Sequence, residues 1–368
     1  MLIGRQKIFM FLWLLPIIIT ASLLGMVVFY DSQPSPFSLK ENHNNNLSQE
    51  NLSSVIEVPK RSPVEPEITL MAVGDIMLSR HVEEKMFHNQ DYTLPFSDLW
   101  DKLMIAHITF GNLESPFYDK GPRITEGMSF KAEPEAIEGL ELAGFDVLSL
   151  ANNHSLNQGA AGLDYTIDYL KQKGLVTIGA GKDFTTAHKP AVITTEDQTT
   201  FGFLAYSYAS HNDITGGNNV VAGLDLRKAN KDIKDLEKKA DIIIVSMHAG
   251  TEYTHQPNWQ QKEFVRGVID AGADLVIGHH PHWVQKVEQY QNGWIFYSLG
   301  NFVFDQEWSR ETKEGVILKV VWQDKKIKLL KLIPVVIENY STPRLANQAE
   351  SSKILKDIGL DSGIVYKK

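Results

Sequence analysis

The sequence contains no cysteine. That excludes a disulfide framework, a thiolate zinc site, a cysteine nucleophile and a lipid anchor on cysteine. Any metal must be held by His, Asn, Asp, Glu and water. The absence also fits an extracytoplasmic chain that avoids unwanted disulfides. The chain has no basic block of the kind that tracks nucleic acid, and its net charge is −9, so nucleic acid is not an expected partner. No internal repeat of solenoid length is present. Charge is missing altogether from one stretch, residues 8–30.

What is there follows from that stretch. As a helix, residues 8–30 are long enough to cross the ~30 Å hydrocarbon core of a bilayer. The run ends at Met26-Val27-Val28-Phe29-Tyr30-Asp31, a poor cleavage site, and outlasts a signal-peptide core of about 7–15 residues. An uncleaved anchor is the expectation. Arg5 and Lys7 precede it, so the positive-inside rule keeps residues 1–7 in the cytoplasm and the rest of the chain outside. Residues 31–67 are polar, without hydrophobic period, and read as a flexible tether. The folded part is expected over 68–340, followed by a C-terminal tail, 341–368, with a helix at 346–358.

Within 68–340, short apolar runs alternate with amphipathic stretches. Strands are expected at 68–73, 105–110, 145–150, 176–178, 191–194, 201–206, 242–245, 275–277, 294–298, 316–321 and 327–336. Helices are expected at 134–143, 159–173, 226–239 and 259–271, several stopped by glycine. Just past the buried strands stand Asp75, Glu114, Asn153 with His154, His248, and His280 with His282. In α/β sheets, ligands bind at the carboxyl ends of strands. The last pair follows an apolar run and Gly278. Pro281 fixes the local backbone, so an extended turn puts His280 and His282 on one side, where two imidazoles can share an ion. Each residue alone has a plain alternative. Asp75 could cap a helix, Asn153 could stabilise a turn, Glu114 could be a solvated loop charge, and His248 could be a satisfied core histidine. Joint placement at five strand ends favours a metal site.

The set Gly74-Asp75-Ile76-Met77, Gly111-Asn112-Leu113-Glu114, Ala151-Asn152-Asn153-His154, His248-Ala249-Gly250-Thr251-Glu252-Tyr253, Gly278-His279-His280-Pro281-His282 and Tyr297-Ser298-Leu299-Gly300-Asn301-Phe302 resembles the bacterial capsule-biosynthesis CapA family. It looks especially like the membrane-anchored subunit of poly-γ-glutamate synthesis machinery. The resemblance covers roughly residues 68–336. That family is similar to the calcineurin-like metallophosphoesterases. The resemblance therefore implies an α/β fold, a two-sheet α/β/β/α sandwich preceded by one transmembrane helix, with one or two divalent ions (Mn, Zn or Fe) per chain. It assigns Asp75, Glu114, Asn153, His248, His280 and His282 to the metals and His154 to the proton donor for the leaving group. Arg80 is a candidate phosphate clamp, with a solvated helix charge as its plain alternative. Two departures stand out. Met77 occupies a place where a phosphoesterase has a histidine, and a thioether is a poor ligand for a hard ion. Glu114 replaces the bridging aspartate. Within the capsule family, Ala249 stands where a Trp is usual.

The implied function is a membrane-anchored capsule or poly-γ-glutamate biosynthesis protein with a metal-dependent phosphoesterase-like site facing outside. The alternative is a non-catalytic accessory subunit that binds or guides an anionic polymer. Expected partners are the membrane, other synthase subunits, and an anionic polymer or phosphoester. A third reading, a peptidase-like metal hydrolase with Glu252 as base, fits Asn153 and His154 less well.

Overall fold

The computed structural model describes residues 66–125, 128–208 and 220–368. The expected cytoplasmic N-terminus, anchor and nearly all of the tether lie outside the described residues. Among the described residues no helix is long and apolar enough to cross a membrane.

The first half of the chain runs β1 (Ile68–Ile76), α1 (Arg80–Asn89), α2 (Trp100–Leu103), β2 (Ile108–Leu113), α3 (Ile137–Leu142), β3 (Val147–Ser149), α4 (Gly159–Gln172), β4 (Val176–Ile178), β5 (Ala180–Gly181), α5 (Phe184–Ala187), β6 (Ala191–Thr194), β7 (Thr200–Ser207) and β8 (Val220–Val221). The second half runs α6 (Leu226–Leu236), β9 (Ile242–His248), α7 (Trp259–Asp270), β10 (Leu275–His279), β11 (Val287–Tyr290), β12 (Gly293–Phe296), β13 (Asn301–Val303), β14 (Glu314–Gln323), β15 (Lys326–Glu338), β16 (Thr342–Leu345), α8 (Gln348–Asp357) and β17 (Ile364–Lys367). Local chemistry explains the boundaries. Asp225 caps α6 by accepting from Arg227 N and Lys228 N, and Asn258 with Gln261 closes a capping box on α7. Gly174, at φ +83, ends the helical stretch after α4 in a left-handed conformation that side chains resist.

The result is a mixed α/β fold with two large sheets. One has the order β16-β15-β14-β1-β2-β3-β4, with β13 also paired to β1 and β17 to β15. The other has the order β11-β12-β10-β9-β7-β6. Alternation along each strand sorts the side chains into layers. In β1, Leu70 and Ala72 join a core with Phe110, Phe203, Ile244, Ile277 and Leu318, drawn from both sheets. Met71 and Val73 face the other way, into a core with Val82 and Met86 of α1, Leu140 of α3 and Leu163 of α4. On the far side, Ile233 of α6 and Val265 and Val268 of α7 cover Val245 and Val276. The layering is helix, sheet, sheet, helix. Each large apolar side chain so buried contributes roughly 1.5–3 kcal/mol, which fixes the two sheets face to face.

The tail is part of this architecture. β16 and β17 both pair antiparallel with β15. Ile354, Leu355 and Ile358 from the α8 region enter the inter-sheet core.

Register sets up the site. In the first sheet Asp75 lies opposite Asn112 on one side and Asn301 on the other. In the second sheet Ser207, His248 and His279 form a row. Asp75, Asn112 and the second row sit at or near the carboxyl ends of parallel strands, and Asn301 opens β13 beside them. The strand register shifts between Ala72 and Asp75, and here Gly74 is required. A Cβ at Gly74 would run into the carbonyl oxygen of Gly300. That close backbone approach lets Asp75 N donate to Gly300 O at 3.0 Å and aims the Asp75 side chain at the second sheet.

Candidate metal centre

Asp75, Glu114 and His248 are each fully buried. One donor atom from each lies within 4.8 Å of the others. Asn112 organises them. Its Nδ2 lies 2.9 Å from Asp75 Oδ1, 3.3 Å from Glu114 Oε1 and 3.2 Å from His248 Nδ1. One amide has only two hydrogens for these three acceptors. Asn112 is held in turn by Asn152, whose Nδ2 donates to Asn112 Oδ1 at 3.2 Å.

The remaining residues stand around this group. His248 Nε2 donates to Asn153 Oδ1 at 2.8 Å, which leaves the Nδ1 lone pair to accept from Asn112 Nδ2, with Glu114 Oε1 3.7 Å away. Asn153 therefore orients His248. His280 donates its backbone N–H to Asp75 Oδ2 at 3.2 Å, and its ring lies 4.8 Å from that of His248. His282 Nδ1 is 2.9 Å from Asn301 Oδ1 and 3.6 Å from Asp75 Oδ2. His154 Nε2 lies 3.9 Å from Glu114 Oε2. The structure thus gathers the donor atoms of Asp75, Glu114 and His248 into one group, with Asn153, His154, His280 and His282 beside it.

The extended turn expected for His280 and His282 is not what forms. Both residues take left-handed backbone, φ +96 and +59. Strand β10 continues through His279, and the chain then bends sharply. The two rings are placed by their neighbours, not by strand alternation. Asp75 and Asn112 also lie inside strands, not beyond them.

Arg80 sits beside the centre. Its Nη2 donates to Asp305 Oδ1, and its guanidinium lies 4.7 Å from the Phe130 ring centroid. Phe130 in turn stacks on His154 at 4.0 Å. Arg80 Nε is buried and has no hydrogen-bond partner among the described residues. Met77 is fully buried in the helix-side core, and its Sδ accepts from Ser79 N at 3.2 Å.

Sequence reasoning did not assign roles to Asn112, His279, Asn301 or Asp305. His279 Nδ1 lies 3.1 Å from Asp75 Oδ1, with both side chains inaccessible to solvent. The visible signals were the Asn beside Gly111 and the third histidine of the cluster.

The electrostatics test whether a cation fits. Burial alone raises the Asp75 carboxyl, but His279, His282 and the Asn112 amide outweigh it and hold the group below the usual aspartate value. Burial, and then the adjacent Asp75 charge, pushes Glu114 well above the usual glutamate value of 4.5. Burial and the surrounding imidazoles hold His248 well below the usual histidine value of 6.5. Glu114 Oε2 finds no hydrogen-bond partner among the described residues. Two buried carboxylates with one orphaned oxygen and a neutral imidazole are a donor set that a divalent ion satisfies. Because Glu114 retains a proton above pH 4.5, binding an ion must displace it. Affinity is therefore expected to rise by about tenfold per pH unit below the raised Glu114 value. Calorimetry in buffers of different ionisation enthalpy should show about one proton released per ion. Affinity that does not change with pH would remove this reading of Glu114.

Comparison with known proteins identifies the class. The family of the bacterial capsule synthesis protein PGA_cap matches residues 69–306. This chain belongs to that family. It is 31% identical over 316 residues to capsule biosynthesis protein CapA of Bacillus anthracis, covering 82% of this chain and 76% of that protein. It is 30% identical over 300 residues to PGA biosynthesis protein CapA of Bacillus subtilis (strain 168), covering 80% and 78%. A protein of Mycobacterium tuberculosis named probable polyglutamine synthesis accessory protein is 29% identical over 256 residues, covering 64% and 66%. A solved chain from Thermus thermophilus aligns with a TM-score of 0.39 at 11% identity, covering 71% of this chain and 99% of that one. At that distance the likeness carries no inference.

Proposed function

We propose that this protein serves capsule or poly-γ-glutamate assembly as an anchored outer domain with a metal-dependent phosphoesterase site, on a sandwich of the metallophosphoesterase kind. The observation that carries the reading is the buried triad of Asp75, Glu114 and His248 with donor atoms within 4.8 Å. Asn153, His280 and His282 complete the set that would hold one or two ions, of which Mn, Zn and Fe suit mixed oxygen and imidazole donors. When bound, such an ion supplies Lewis acidity and acidifies the water it holds.

The chain's own residues supply the rest. His154 Nδ1 donates to Asn157 Oδ1 at 2.8 Å. That bond fixes the ring, whose Nε2 accepts from Asn153 Nδ2 at 3.2 Å; an Asn153 drawn onto an ion would release Nε2 to carry a second proton to a departing oxygen. The Phe130 ring covers one face of His154 and keeps it almost wholly buried. Arg80 Nε is a donor for an anionic oxygen, and Asp305 fixes the guanidinium that carries it. Asn112 holds both carboxylates and His248 in register. Residues 8–30 would tether the domain to the outer face of the cell membrane, with the N-terminus in the cytoplasm.

The test is hydrolysis of a simple aryl phosphate by the purified full chain with Mn²⁺. Turnover abolished by chelator and restored by metal is the expected result. A metal-loaded chain with no turnover above buffer would remove the enzymatic reading.

One observation favours a second reading. Met77 lies in the apolar core, where the related phosphoesterases implied by the sequence have a histidine ligand, so one metal position is short of a ligand. An accessory subunit that guides an anionic polymer would not need that position. The relatives' names include an accessory protein of polyglutamine synthesis. Co-purification with membrane subunits, and polymer made normally by metal-ligand variants, would favour this role over catalysis.

A further inference from the structure

Beside the metal centre stands an aromatic shelf that the proposed chemistry does not use. Tyr253 takes φ +60, a left-handed value that bulky residues rarely adopt. Such strain costs on the order of 1–3 kcal/mol and gathers at functional sites. Here Tyr253 N donates to Pro281 O at 2.9 Å. The bond ties the ring to the turn that carries His280 and His282. The phenol ring lies nearly parallel to His282, with centroids 6.1 Å apart at 23°. Trp308 meets Tyr253 edge-on, at 4.6 Å and 84°, and remains 59% exposed. A large apolar ring held against a strained residue, yet open to solvent, offers a flat binding surface.

The polar groups around the shelf narrow the ligand. The Tyr253 phenol lies beside the Glu252 carboxylate and the Gln306 amide, and burial with the Glu252 charge pushes it up to about 12. Gln306 is itself buried. Its Oε1 accepts from Asn301 Nδ2 at 3.3 Å, and Asn301 Oδ1 faces His282. Shelf and metal centre therefore share His282 and Asn301. The cation acting on Tyr253 is Arg80, whose guanidinium is engaged by Asp305. Next to Trp308 in sequence stands Glu307. The half-buried Glu252 carboxylate and the exposed indole suit a neutral polyol. They do not suit a glutamate polymer, whose carboxylates would meet Glu252.

We propose that Tyr253 and Trp308 form a saccharide subsite at the rim of the metal centre. The C–H face of a pyranose ring lies on the exposed indole, and its hydroxyls pair with Glu252. The inference deepens the phosphoesterase reading, and rests on it only in naming a sugar as the alcohol part of the substrate.

Calorimetric titration of the full chain, Mn²⁺-loaded and chelator-treated, tests it. The probes are a β-1,4-linked N-acetylglucosamine tetrasaccharide and a γ-linked glutamate tetramer. The tetrasaccharide is expected to bind in both states. Trp308→Ala is expected to weaken it at least tenfold, and Trp308→Phe to recover most of the loss. Circular dichroism confirms that the variants fold. Absence of tetrasaccharide binding, or binding unchanged in folded Trp308→Ala, overturns the subsite. Glutamate-tetramer binding that Trp308→Ala abolishes overturns it as well. Saccharide binding that depends on Trp308 supports the subsite even where the wild type turns over no aryl phosphate, so failure of the hydrolase reading is seen separately.

Discussion

Replacing Asp75 by asparagine is expected to remove metal binding and, with it, all metal-dependent turnover. The substitution preserves shape and deletes one negative charge. In the wild type, Asp75 accepts from Asn112 Nδ2, His279 Nδ1 and the His280 N–H. An asparagine amide would turn a donor toward at least one of these donors, at a cost of about 1–3 kcal/mol for an unsatisfied buried group. It would also withdraw an anionic ligand. Affinity for Mn²⁺ should fall by more than about 100-fold, since even outer partners of metal ligands cost about 10- to 100-fold. At about 100 times the wild-type Kd, the wild type gains about 2.7 kcal/mol from the ion, while Asp75→Asn should show almost no upward shift in melting temperature. Glu114, relieved of its charged neighbour, should titrate lower than in the wild type. Metal counting per chain and thermal melts with and without Mn²⁺ read these outcomes. Asp75→Asn with wild-type stoichiometry and a wild-type melting shift would mean that the ion binds elsewhere.

The sequence made the central strands β1, β9 and β10 legible because they are buried on both faces and read as apolar runs. The expected strands at 176–178 and 191–194 coincide with β4 and β6. The ends were less legible. Strand β2 continues through Gly111, Asn112 and Leu113, and β9 through Ser246 to His248. Polar side chains there face a cleft between sheets, so loss of hydrophobicity did not mark the end of the strand. Asn112 could not be singled out, because its role comes from register with Asp75 across β1 and β2. The same holds for Asn301 across β13. His280 and His282 were found by type but not by geometry. Their backbone is set by the shared packing of Tyr253, Asn301 and Asp75, which periodicity does not encode. β16 and β17 were missed because four-residue edge strands carry little pattern of their own, and pairing with β15 defines them.

Replacing His154 by alanine is expected to lower turnover by about 100-fold or more while leaving metal content unchanged. His154 lies 3.9 Å from Glu114 Oε2 and accepts from Asn153 Nδ2 at 3.2 Å, so its removal deletes no carboxylate or imidazole ligand and costs Asn153 one acceptor for its amide N–H. What is lost is a proton donor whose position Asn157 and Phe130 fix. A donor of that kind matters more as the leaving oxygen becomes more basic. The loss should therefore be larger for an alkyl phosphate than for an aryl phosphate of similar size. A variant that merely disturbs packing would slow both esters alike, and a variant that disturbs the metal would lower the ion count. The Phe130–His154 stack makes some loss of stability expected, so kinetics are to be compared below the melting temperature of the variant. Equal losses on the two esters, or full activity in His154→Ala, would take the proton from His154. Leaving-group protonation would then fall to a solvent molecule or to the substrate itself.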